Sequence, residues 1–150
     1  MAKPEIIKSV KDILNNYMNK HQLRKTQERF KILEFVYSMD KHFDVDELHR
    51  FLKEKDFVVS KATVYNTLEL LLNAGLVKKH YFNNHAAYYE KSFFNKTHDH
   101  IIVRDENGNV LKIIEFCDPR IELIKKDLEK ITGLQIEDHD LYFFAKPNKN

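Results

Sequence analysis

The hydrophobic rhythm of this chain changes once, at Gly75, and that change limits the folds open to it. Before Gly75, apolar residues recur every three to four positions, the period of a helix with one buried face. Ile6, Val10, Ile13, Leu14, Tyr17 and Met18 mark a first helix. Thr26 is placed to cap a second, carrying Phe30, Leu33, Val36 and Tyr37. Asp44 with Glu47 three residues on has the form of a capping box, opening a third helix with Val45, Leu48, Phe51 and Leu52 inside. Ser60 opens a fourth, burying Val64, Leu68, Leu71 and Leu72, and Gly75 stops it.

After Gly75 the residues alternate or run in short apolar blocks, and strands are expected. Residues 77–82 and 86–90 flank the polar turn Asn83-Asn84-His85. Compact helices followed by a β-hairpin is the winged-helix order, a helix-turn-helix variant whose last helix enters the major groove. Residues 98–105 and 110–116 flank Glu106-Asn107-Gly108-Asn109, and Asn-Gly is a strong hairpin signal. Pro119 suits the first turn of a helix running to about Ile131, with Gly133 ending it and 134–145 giving a final strand. The expected class is α+β: a winged helix-turn-helix domain over residues 1–87 and a small α/β domain over 88–150.

Composition excludes several classes. The single cysteine, Cys117, rules out a disulfide framework and any zinc site built from CxxC pairs. No apolar run approaches the ~20 residues that span a bilayer, and the polar, amphipathic N-terminus is unlike a signal peptide. A cytoplasmic protein with no membrane partner is expected. Residues 1–87 carry 15 Lys+Arg against 11 Asp+Glu, a net of +4, whereas 88–150 carry 10 against 12, a net of −2. The basic half suits a polyanion and the acidic half suits cations.

His98-Asp99-His100 is the segment with chemistry in it. Alternate residues of a strand share a face, so His98 and His100 point together and Asp99 points away. With Asn107-Gly108 as a two-residue turn, His100 falls opposite Glu115 and His98 opposite Cys117, with Cβ atoms ~5 Å apart. Two imidazoles and a carboxylate on one face can begin a divalent metal site. The same histidines also suit an ordinary solvated strand.

Several segments together resemble the ferric uptake regulator family, over roughly Leu23 to Ala145. They are Leu23-Arg24-Lys25-Thr26-Gln27-Glu28-Arg29, Lys61-Ala62-Thr63-Val64-Tyr65-Asn66-Thr67-Leu68, Ala74-Gly75-Leu76-Val77, His98-Asp99-His100, Ile114-Glu115-Phe116 and His139-Asp140-Leu141-Tyr142. The resemblance implies a homodimeric, metal-responsive repressor, with a C-terminal dimerisation domain and no enzymatic activity. It implies a regulatory metal held by His42, Glu90, His98, His100 and Glu115, and a second site using Asp99, Glu122 and His139. At the second site Thr97 stands where the family has another histidine. The family's CxxC pairs are also missing, with Val103 and Glu106 at the first, so no structural zinc held by four cysteines is expected. Dimer packing then falls to residues such as Ile101, Ile113, Leu141 and Phe143, with Cys117 a buried small hydrophobe. Glu115 stands where the family's peroxide sensors usually carry Asp, and Glu90 where its zinc sensors often carry Cys. That leaves Fe(II) as the expected ion, with Mn(II) and Zn(II) as alternatives.

For DNA, the exposed side of the fourth helix offers Lys61, Thr63, Tyr65 and Asn66. Tyr65 suits thymine methyls and Asn66 an adenine edge. Arg24 matches a family position that reaches a narrow A·T-rich minor groove. Arg29, Lys61, Lys78 and Lys79 are phosphate candidates. The expected partner is A·T-rich palindromic double-stranded DNA. The rival readings are a manganese-, zinc- or haem-responsive member of the family, a small non-haem metalloenzyme, and a protein-interaction module with a structural metal.

Overall fold

Capping side chains set the helix starts in the first half of the chain. The computed structural model describes residues 4–82, 86–92 and 99–148. Helix α1 spans Pro4–Lys20, α2 Gln27–Ser38, α3 Val45–Glu54 and α4 Lys61–Asn73. Thr26, Asp44 and Ser60 accept hydrogen bonds from the backbone N–H of Arg29, Glu47 and Thr63, as expected of N-caps. Gly75, at φ +76°, takes the left-handed turn that ends α4, a conformation costly for other residues. One core joins the four helices: Val10, Leu14, Met18, Ile32, Leu33, Val36, Leu48, Leu52, Val64, Leu68 and Leu71 are all fully buried.

The wing follows. Strand β1 (Val77–His80) pairs antiparallel with β2 (Tyr88–Lys91), His80 facing Tyr88 and Lys78 facing Glu90. The α2–α3 connection joins this hairpin: Phe43 and Tyr89 exchange backbone hydrogen bonds of 3.0 and 2.7 Å. The wing therefore belongs to the helical unit. The chain divides into two compact units, Met1–Asn95 and Lys96–Asn150. The expected boundary at 87/88 would cut β2 from the strand it pairs with, so the divide falls after the hairpin.

The second unit is a three-stranded sheet in the order β4-β3-β5 with one helix. Strand β3 (Asp99–Arg104) runs antiparallel to β4 (Val110–Phe116) and parallel to β5 (Tyr142–Ala145), and α5 spans Arg120–Thr132. Gly133, at φ +71°, ends α5 as expected. The final strand is shorter than residues 134–145. The Ile136 N–H is taken by Glu129 of α5, and pairing with β3 begins only where His100 N–H meets the Leu141 carbonyl. Among the described apolar residues of this unit, Ile102 alone is fully buried, and α5 buries none. No helix among the described residues is long and apolar enough to cross a membrane.

Candidate metal centre and nucleic-acid interface

Hairpin geometry brings three metal-ligand side chains together in the first unit. His80 and Glu90 are diagonal neighbours on one face of the β1–β2 ladder. His42 is delivered by the Phe43–Tyr89 bridge, which pins the residue before Phe43 beside the residue after Tyr89. The result is a carboxylate between two imidazoles. His42 Nε2 lies 2.8 Å from Glu90 Oε2, and His80 Nε2 lies 2.9 Å from Glu90 Oε1. All three are buried, at 9%, 2% and 5% exposure. Phe82, itself fully buried, stacks on the His80 ring at 5.1 Å and meets the His42 ring edge-on at 5.8 Å.

Burial alone would raise the Glu90 pKa, but hydrogen bonds from His42 and His80 outweigh it and hold the carboxyl well below its usual range. The group is therefore ionised at neutral pH, the state a metal needs. The ligand atoms of His42, His80 and Glu90 lie within 4.8 Å of one another. Donors around one tetrahedral ion stand about 3.3 Å apart, so the set fits a divalent cation after only a small opening. Two imidazoles and a carboxylate suit first-row divalent ions rather than soft ones.

His42 and Glu90 were expected here and His80 was not. Its signal lay in the hairpin register: with His80 opposite Tyr88, His80 is diagonal to Glu90 on the same face.

In the second unit, His100 faces Glu115 directly, as expected. The turn that sets this register is not the two-residue one, however. Asp105 and Asn109 close a three-residue loop, with Gly108 at φ +84°. Asp105 accepts from the Asn107 and Asn109 N–H groups. An irregularity between Val103 and Arg104 leaves Leu111 as an extra residue on β4, which restores the pairing at the site. His98 and Thr97 lie outside the described residues.

The second expected site is half assembled. His139 Nε2 lies 2.6 Å from Asp99 Oδ1, with Asp99 buried. Among the described residues, His139 Nδ1 is buried with no hydrogen-bond partner. Glu122 instead pairs with Lys125 on its own helix, at 3.2 Å, with an exposed side chain. Cys117, expected buried, is exposed, one residue beyond the end of β4.

On α4 the faces separate cleanly. Val64, Thr67, Leu68 and Leu71 point inward, whereas Lys61, Tyr65 and Asn66 are exposed. Tyr65 is 47% exposed, so it is no core tyrosine. Thr63 Oγ1 is within 2.9 Å of the Ser60 capping hydroxyl, and Lys61 reaches Asp46 at 2.6 Å. Arg24 is exposed, and the Arg29 guanidinium folds back onto the Arg24 carbonyl. Lys79 is turned inward, pairing with Glu69 at 2.9 Å and lying over the Tyr81 and Tyr89 rings. These contacts make it a brace between α4 and the wing.

Known proteins supply the same frame. The model of the ferric uptake regulator family matches residues 20–144. The ferric uptake regulation protein of Pseudomonas aeruginosa is 31% identical over 136 residues, covering 90% of this chain and 98% of the relative. That of Rhizobium leguminosarum is 32% identical over 127 residues, covering 85% and 86%. The Helicobacter pylori ferric uptake regulator, whose structure is described as having three functional metal-binding sites, superposes with a TM-score of 0.81. It is 25% identical and covers 99% of this chain and 96% of its own. The P. aeruginosa regulator with manganese superposes at 0.74, is 31% identical and covers 90% and 98%. With that match and a winged helix joined to a small sheet unit, this chain belongs to the ferric uptake regulator family: it is a metal-responsive transcription regulator and not an enzyme.

Proposed function

We propose that the protein is an Fe(II)-dependent, cytoplasmic, homodimeric repressor of A·T-rich palindromic operators. The observation that carries this reading is the buried His42–His80–Glu90 cluster at the root of the wing, in the same unit as the exposed reading face of α4. His42 and Glu90 hold the regulatory ion from the first unit; His98, His100 and Glu115 hold it from the second. A bound divalent cation supplies one charge shared by donors of both units, and so favours one arrangement of the two over others.

Within the first unit the linkage is short. Glu90 sits on β2, His80 ends β1, and β1 follows α4 after Gly75. Donors fixed at the wing therefore fix the strand that α4 leads into. On α4, Tyr65 and Asn66 read bases, while Lys61 and Thr63 hold phosphates at the helix N-terminus. Arg24 enters the minor groove, and Arg29 shapes the loop that carries it. The thin core of the second unit supports dimerisation. Leu123, Ile124, Leu128, Phe143 and Phe144 are all exposed, a surface that a second copy would cover. The choice of iron rests on the resemblance and on the N/O donor set; raw affinity would favour zinc.

The test is metal analysis of protein purified without chelator, with DNA binding measured across added Fe(II), Mn(II), Zn(II) and Co(II). Binding to an A·T-rich inverted repeat that Fe(II) promotes at cellular concentration supports the reading. Promotion by Mn(II) or Zn(II) alone overturns the choice of ion.

A further inference from the structure

We propose that His80 is itself a ligand of the regulatory metal, so that the DNA-binding unit alone supplies three donors: His42, His80 and Glu90. The inference deepens the reading above and rests on it. Four observations carry it. His80 is 2% exposed, on the strand face it shares with Glu90. Its ring lies nearly parallel to Phe82, 11° between planes, which fixes the ring plane. Its Nε2 stands on one Glu90 oxygen while His42 Nε2 stands on the other, at 2.9 and 2.8 Å. The three ligand atoms lie within 4.8 Å of one another, close enough for all to reach a single ion.

The alternative role is positioning, in which His80 only orients Glu90 through a hydrogen bond, as outer partners of metal ligands do. The arrangement is not the usual one for that role. An orienting partner stands behind its carboxylate, whereas His80 and His42 hold equivalent places on the two oxygens of Glu90. Whatever position His42 takes as a ligand, His80 matches it. A tridentate set on one unit has a consequence for regulation. The metal stays with the DNA-binding unit when donors of the second unit are removed, so those donors govern coupling more than occupancy.

The test uses the full chain and Co(II), whose visible and near-ultraviolet absorption reports its ligands. His80→Gln should weaken Co(II) binding by at least about tenfold, the lower end of what even an outer partner costs. It should also change the visible band. His80→Cys should add a thiolate-to-Co(II) charge-transfer band beyond the wild-type spectrum, which already includes any contribution from Cys117. A protein with His100→Ala and Glu115→Ala together should keep a weakened Co(II) site, and adding His80→Gln should abolish it. Circular dichroism of each variant confirms folding. If His80→Cys folds and binds Co(II) with no new charge-transfer band, His80 is a positioning residue and the proposal fails while the regulatory reading stands. If wild-type protein binds no Co(II), both fail.

Discussion

Tyr65 and Leu68 sit one turn apart on α4, and the structure predicts opposite phenotypes for them. Leu68 is fully buried in the helical core, whereas Tyr65 is 47% exposed. Leu68→Ala removes three buried carbons and leaves a cavity, at a cost of about 2–5 kcal/mol of stability. A folded Leu68→Ala molecule should still discriminate its operator normally. Tyr65→Ala leaves no cavity, so its cost in stability should stay within about 0.5 kcal/mol, as for other surface changes. Its cost should appear on DNA, at about 1–3 kcal/mol of discrimination, roughly five- to 150-fold. The assay pairs urea unfolding with fluorescence anisotropy on an operator duplex and a scrambled duplex, at saturating metal. A Tyr65→Ala protein with an unchanged operator-to-scrambled ratio would refute α4 as the reading helix. So would a Leu68→Ala protein that keeps its stability but loses its ratio.

Lys61→Ala should weaken operator and random DNA alike and lower the salt slope by about one, measured by salt titration. Arg24→Ala should hurt least where flanking A·T pairs are replaced by G·C, a comparison that duplex variants make directly. Apo-protein titrated with metal should show one tight site per chain and at most one weaker site, because Glu122 pairs with Lys125 rather than with Asp99 and His139; two equal tight sites would contradict this. Burial, then donation to Glu69, raises the Tyr89 phenol to about 12. A raised folded pKa stabilises the protein below the unfolded value near 10 and loses that contribution as pH rises from 10 to 12. Ultraviolet titration should therefore show Tyr89 contributing to ionisation near pH 12, and Tyr89→Phe should remove that contribution.

Much of this architecture was legible in the chain. The caps Thr26, Asp44 and Ser60 are local signals, because each side chain bonds a backbone N–H three residues away. The His100–Glu115 pairing was legible too, but for a mistaken reason: a longer loop and an extra residue at Leu111 cancel, and no local rule foresees a distant bulge. His80 was missed although its hairpin was expected, because strand assignment alone does not ask which side chains become diagonal neighbours. Glu122 and Cys117 depend on tertiary environment. A helix that buries none of its residues frees Glu122 to pair along its own surface, and Cys117 is exposed just past the end of its strand.

The central claim is that metal at the buried histidine–carboxylate cluster controls DNA binding. The direct measurement is DNA affinity of wild-type protein and of the Glu90→Gln variant, each with chelator and with added Fe(II) under anaerobic conditions. Glu90→Gln keeps the side chain's shape but removes the charge that His42 and His80 converge on. The wild-type protein should bind its operator at least about tenfold more tightly with Fe(II), within the usual range of allosteric coupling. The variant should bind equally weakly with and without it. A variant that keeps the full response to Fe(II), or a wild-type protein with no response to any divalent metal, would contradict the account.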